Sequence, residues 1–98
     1  HITFPHLPFV SCARKYAEMG TFPGGAFDNK SFYGSQVSFR NPLDEPNQML
    51  LFDPQTSGGL LLCVPPRKIE ALLKRAEAID QPAWVVGEVT AGEGIHVV

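Results

Sequence analysis

Leu50-Leu51-Phe52-Asp53-Pro54-Gln55-Thr56-Ser57-Gly58-Gly59-Leu60-Leu61-Leu62-Cys63-Val64 sets apolar segments on both sides of a polar, glycine-containing loop. Asp53-Pro54 opens a turn, because the Pro54 ring fixes its own φ and pushes Asp53 out of the helical region. Gln55, Thr56 and Ser57 follow with an amide and two hydroxyls. Gly58-Gly59 leaves the backbone able to take φ > 0 or to admit a ligand closely. Leu60–Val64 is apolar at every position, which predicts a strand buried on both faces. A loop of this kind is either a plain turn or a binding site, since backbone N–H groups around Ser57-Gly58-Gly59 could cradle an anion. It is not a P-loop: no lysine follows the glycines, and a strand, not a helix N-terminus, comes next.

On the C-terminal side, Pro65-Pro66 start a helix whose apolar stripe is Ile69, Leu72, Leu73, Ala76 and Ile79. Glu70 and Lys74 form an i,i+4 pair in the favourable order. Pro82 ends the connection, Ala83–Val89 reads as a second apolar strand, and Thr90–Gly94 turns into a strand over Ile95–Val98. On the N-terminal side, Asp44, Glu45 and Pro46 suit a first helical turn, with a short helix over Asn47–Phe52. Val37 and Phe39 alternate with polar neighbours, as in a half-buried strand. Thr21–Gln36 carries glycines and four aromatics, which predicts a long loop packed on a surface. Phe9–Met19 reads as a helix ended by Gly20, and His1–Phe4 as a strand. The order predicts an α/β (α+β) domain: a mixed β-sheet, parallel and antiparallel, with helices packed on it. No internal repeat interrupts it.

Composition narrows the function classes. Ninety-eight residues suffice for one domain with a modest core. A formal net charge of −2 and scattered basic residues argue against non-specific nucleic-acid binding, which needs a basic face. The longest apolar run, Leu60–Val64, is far short of the roughly 20 residues that span a bilayer. No secretory pattern opens the chain, so the cytoplasm is the expected compartment. Cys12 and Cys63 make no disulfide framework and read as small buried hydrophobes. His1, His6 and His96 have no ligand spacing, and no carboxylate cluster offers a magnesium site. Asp53, the one acid beside the loop, suits a turn, and Glu88 suits a structural or edge position.

Leu51-Phe52-Asp53-Pro54-Gln55-Thr56-Ser57-Gly58-Gly59-Leu60-Leu61 resembles the signature of the selenophosphate synthetase (selenide, water dikinase) family. Three further segments are similar to that family, in order. They are Gly20-Thr21-Phe22-Pro23-Gly24-Gly25-Ala26-Phe27-Asp28-Asn29, Val85-Val86-Gly87-Glu88-Val89 and Gly94-Ile95-His96-Val97. The resemblance implies the C-terminal portion of an aminoimidazole ribonucleotide synthetase-like (PurM-like) C-terminal domain, with residues 1–98 a single-domain fragment of a larger two-domain enzyme. That enzyme converts selenide, ATP and water to selenophosphate, AMP and phosphate with Mg²⁺, and it dimerises through its N-terminal domain. The family's reactive cysteine or selenocysteine, its neighbouring lysine and most metal-binding aspartates belong to that N-terminal part. An Asp-Val-Thr-Gly-Phe-Gly segment that opens the family's C-terminal domain is also absent from these 98 residues.

The chain is therefore expected to be roughly the last third of such an enzyme and inactive alone. It should carry no catalytic residue, no metal ligand and no tightly bound ATP or Mg²⁺. Its partners would be the N-terminal domain and a second copy of the parent, with neither nucleic acid nor membrane involved. By resemblance, Asp53, Gln55, Thr56, Ser57, Gly58 and Gly59, with Gly24, Gly25 and Asn29, would face the interdomain cleft where phosphate groups are held. The alternatives are a non-catalytic α/β binding or regulatory module, or another member of the same ATP-dependent synthetase superfamily. Without its partners, such a chain should leave apolar surface uncovered, particularly around Phe22–Tyr33.

Overall fold

Four helices and two short parallel strands make up the computed structural model, which describes residues 1–98. The strands are β1 (Val37–Phe39) and β2 (Ile95–Val97), paired Val37 to Ile95, Ser38 to His96 and Phe39 to Val97. Ile2 extends this ladder on the far side of β2, bridging Val97 in parallel and Gly87 in antiparallel. Ile2 N–H donates to the His96 carbonyl at 2.7 Å, Val98 N–H to Ile2 at 2.9 Å, and Thr3 N–H to Val86 at 2.8 Å. The result is a narrow, mixed sheet in the order 86–88, 1–3, β2, β1, as the alternation of the sequence anticipates. Gly87 is needed there, because a Cβ at that position would run into the His1 carbonyl and the Ile2 Cα. Gly94, at φ +78°, turns the chain into β2 where a side chain would be strained.

The helices are α1 (Ala13–Glu18), α2 (Gly24–Tyr33), α3 (Glu45–Leu50) and α4 (Pro66–Ala78). α1 starts later than the sequence predicts, because Cys12 takes a left-handed φ of +68° just before it. Gly20 follows its end at φ +70°, the role expected of it. α3 matches expectation closely: Asp44 caps it by accepting from the Asn47 N–H at 2.9 Å, and Pro46 sits in its first turn. α1 and α2 both pack against α3. The buried residues are Phe4, Ala17, Ala26, Met49, Phe52 and Val97, so the core lies between the sheet and these three helices. Arg14 of α1 lies over the rings of Phe4 and Phe9, 5.3 Å from each centroid.

α2 occupies a stretch read from the sequence as a long loop. Gly24-Gly25 at its start and scattered aromatics hid the helical period. The inward positions, Gly25, Ala26, Asn29 and Lys30, nevertheless follow i, i+1, i+4, i+5, a single helix face.

Two predicted strands do not form. Leu60–Val64, expected to be buried on both faces, has no regular structure, with Leu60 89 % and Leu61 78 % exposed. Ala83–Val89 is irregular apart from the bridge at Gly87, and Trp84, Val85 and Val89 are exposed. A strand exists only as a member of a ladder: residues 60–64 pair with no segment of these 98 residues, and the second run meets residues 1–3 only around the single bridge at Gly87. Cys12 and Cys63, read as buried hydrophobes, are also exposed.

α4 forms where its pattern places it, and Lys74 Nζ meets Glu70 Oε1 at 2.7 Å. Its stripe of Ile69, Leu72, Leu73, Ala76 and Ile79 is only partly covered. The uncovered apolar surface is therefore wider than the expected patch, although Phe27, Phe32 and Tyr33 belong to it. The accessible surface of 7677 Å² exceeds the about 5,500 Å² that a folded monomer of this mass shows. The radius of gyration, 14.8 Å, likewise exceeds the about 13 Å of a self-contained domain.

Candidate functional site

α3 delivers the chain to the polar loop. Its C-terminal turn leads through Leu51 to Phe52, which is buried and anchors the loop's first residue. From there Asp53 to Gly59 run exposed over the surface. Gln55 N–H donates to the Asp53 carbonyl at 2.9 Å, closing a tight turn around Pro54. Neither Gly58 nor Gly59 takes a positive φ, so the backbone freedom anticipated there is not used for a left-handed turn. A Cβ on Gly58 would lie 2.7 Å from Gln55 Oε1, so the Gln55 side chain folds back over that glycine. Gly59 faces open space. The backbone N–H groups of Thr56, Ser57, Gly58 and Gly59 donate to no protein acceptor.

The second predicted loop is brought against the first, as a helix. Pro23-Gly24-Gly25 forms the start of α2, with Pro23 in the N-cap position and no side chain capping the helix. Gly25 lies against the turn: a Cβ there would sit 3.1 Å from Pro54 Cγ and 3.3 Å from Pro54 Cβ. One turn on, the half-buried Asn29 donates from Nδ2 to the Phe52 carbonyl at 2.9 Å. Lys30 Nζ then pairs with Glu45 Oε1 at 3.0 Å, tying α2 to the start of α3. Gly24, by contrast, is exposed and has open space around it.

Free amides thus occur in two places, the first turn of α2 and the loop Thr56–Gly59, and α2 touches the root of that loop at Phe52 and Pro54. The positive end of a helix dipole and a run of unpaired N–H groups both favour an anion. The sequence shows no helix N-terminus after the glycines, and none is there. The fold supplies one from α2, about thirty residues earlier in the chain. Two contributors went unnoticed in the sequence: Pro54, as the contact for Gly25, and Phe52, as the acceptor for Asn29. The apolar anchor at Phe52 and the Asn at i+4 from Gly25 were the available signals.

No group of three His, Cys, Asp or Glu side chains converges to hold a metal ion. Asp53 is the one carboxylate among the loop residues, so the loop holds no all-protein cage for a cation. Ser38 Oγ and His96 Nδ1 lie 2.5 Å apart on neighbouring strands, and the His1 ring meets that of His96 edge-on at 5.2 Å. Two surface depressions, between residues 7 and 15 and between residues 73 and 83, include no residue of the loop. Residues 53–59, all exposed, lie along an open surface. No helix is long and apolar enough to cross a membrane.

Comparison with known proteins adds three findings. Residues 24–98 match the family described as AIR synthase related protein, C-terminal domain. A selenide, water dikinase of Pelobacter propionicus is 45 % identical over 86 residues, covering 87 % of this chain and 24 % of the relative. Proteins of the same name from Myxococcus xanthus and Caldanaerobacter subterraneus subsp. tengcongensis are 41 % and 40 % identical. They cover 94 % and 85 % of this chain, and 26 % and 24 % of their own lengths. The chain spans about a quarter of the length of these curated relatives, less than the third expected from its motifs.

Proposed function

This chain belongs to the AIR synthase related protein family, as its C-terminal domain, and from that premise we propose that it is the C-terminal part of a selenide, water dikinase. The parent would take selenide, ATP and water to selenophosphate, AMP and phosphate. The named relatives favour this over another synthetase of the superfamily and over a regulatory module. Residues 1–98 would be a single-domain portion of a two-domain enzyme, working in the cytoplasm. Its partners would be the N-terminal domain and a second copy of the parent. By the family resemblance, the nucleophile and most of the metal-binding carboxylates would belong to that other domain.

The observation that carries the reading is the juxtaposition of two separately matched motifs, through Pro54 against Gly25 and Asn29 bonded to Phe52. In this reading the edge they form is one wall of the interdomain cleft. The amides of Gly24, Gly25 and Thr56–Gly59, with the hydroxyls of Thr56 and Ser57, donate to phosphate oxygens of ATP or of the phosphorylated intermediate. Donors fixed in place before the phosphoryl group arrives stabilise its charge without reorganisation, which is their catalytic value. Asp53, an anion, is unsuited to phosphate and serves the turn through its carbonyl.

The test is turnover of the full-length protein carrying Thr56→Ala and Ser57→Ala, read as AMP formed from ATP in the presence of selenide. Each lost hydrogen bond to a charged phosphate should lower kcat/KM by about 10- to 100-fold. Unchanged turnover in variants with native thermal unfolding would refute ligand contact by this loop. The domain would then serve only as scaffold.

A further inference from the structure

Asn29 belongs to the second matched motif, so a direct contact with ligand is the simple expectation. Its geometry is different. It is half-buried, one turn inside α2, and its Nδ2 is engaged with the Phe52 carbonyl at 2.9 Å. Phe52 is the last buried residue before the loop, and every residue from Asp53 to Leu62 is exposed. No other side-chain hydrogen bond reaches residues 52–59. On the same helix face, one turn earlier, the missing side chain of Gly25 lets Pro54 approach. A Cβ there would fall 3.1 Å and 3.3 Å from two carbons of a rigid ring. The loop is therefore held at its root by two contacts to α2, one polar and one apolar, on consecutive sides of Asp53.

We infer that Asn29 and Gly25 are positioning residues: they fix the corner Phe52–Pro54 on α2, and so set where the amides and hydroxyls of residues 56–59 stand relative to the helix N-terminus. The inference deepens the phosphate-cleft reading above and rests on it. The Asn29 bond terminates on a main-chain carbonyl, so a change of loop side chains leaves it intact. Gly25 is required for proximity and not for flexibility, since its φ is helical.

The two residues act on one corner, so their effects on the full-length protein should not multiply. Asn29→Ala should lower kcat/KM with Mg·ATP and selenide by about fivefold, the factor set by one net hydrogen bond of typical strength, and Gly25→Ala, which crowds a methyl against the Pro54 ring, by a similar factor, the low end of what an overpacked contact costs. The loss should divide between kcat and KM in the same way for both. The double variant should stay below about tenfold, against the about 25-fold of independent sites. Amide hydrogen exchange over residues 52–59 of the full-length protein should rise in both variants, while exchange in α3 and α4 stays as in the parent. Gly34→Ala, at a helical position with open space around it, serves as the control for changes to α2 itself.

Multiplicative losses with unchanged exchange at 52–59 would overturn the inference and assign Asn29 to the ligand. Full activity in Asn29→Ala and Gly25→Ala, with activity lost in Thr56→Ala and Ser57→Ala, would overturn it while leaving the cleft reading intact. Full activity in the Thr56 and Ser57 variants would overturn that reading, and the positioning role with it.

Discussion

Replacing Leu61 by Lys should have opposite meanings in two contexts. In the 98-residue chain Leu61 is 78 % exposed, between Leu60 and Leu62, which are exposed as well. A polar substitution there removes almost no buried contact, so stability should change by less than about 0.5 kcal/mol. Self-association should fall. The surface excess over a self-contained domain is about 2,000 Å², enough for a standard interface of about 800 Å² per partner. A charge in the middle of its most apolar segment opposes that burial. On the proposed function, neighbours in the full-length protein would cover this run and complete its ladder. There Leu61→Lys loses the burial of a leucine, about 1.5–3 kcal/mol, and adds the desolvation of an ammonium group. The assay is urea unfolding of the 98-residue chain and of the full-length protein, each with and without the substitution, with size-exclusion chromatography of the short chain. Equal, small effects in both contexts would refute the reasoning that residues 60–64 are a strand deprived of its sheet.

Two further outcomes follow from local geometry. Asp44→Ala removes the cap of α3, including the bonds from Asn47 N at 2.9 Å and Asn47 Nδ2 at 2.8 Å. It should cost about 1 kcal/mol, visible as a lower thermal midpoint with an unchanged unfolded baseline. Gly94→Ala places a side chain at φ +78°, with its Cβ 2.9 Å from the Gln36 carbonyl oxygen. It should cost about 1–3 kcal/mol and raise amide exchange at Ile95–Val97, whereas an unchanged melt would deny that this turn sets the entry to β2.

α4, α3, β1 and β2 were legible because their determinants are local. Proline at a first turn, a capping aspartate, an apolar stripe at helical spacing and a period of two act within a few residues of one another. α2 was obscured because two glycines open it, and one of them, Gly25, answers to Pro54, a residue distant in sequence. The candidate loop was visible as a composition and a resemblance, and its individual residues as candidates. Its neighbour across the fold, and the Asn29 bond that roots it, were not.

What the sequence determined by itself is therefore part of the inventory: the helices α3 and α4, the strands β1 and β2, which loop is polar, and which family the motifs belong to. Only the tertiary structure decided that Gly25 in the first turn of α2 meets Pro54, that Asn29 is spent on the Phe52 carbonyl, and that the leucines after Gly59 stay uncovered. The physical reason lies in the range of the forces involved. Helix propensity and capping are set by neighbours along the chain, whereas a strand exists only through the hydrogen bonds of another strand, and a close approach such as Pro54 on Gly25 is fixed by packing between elements far apart in sequence.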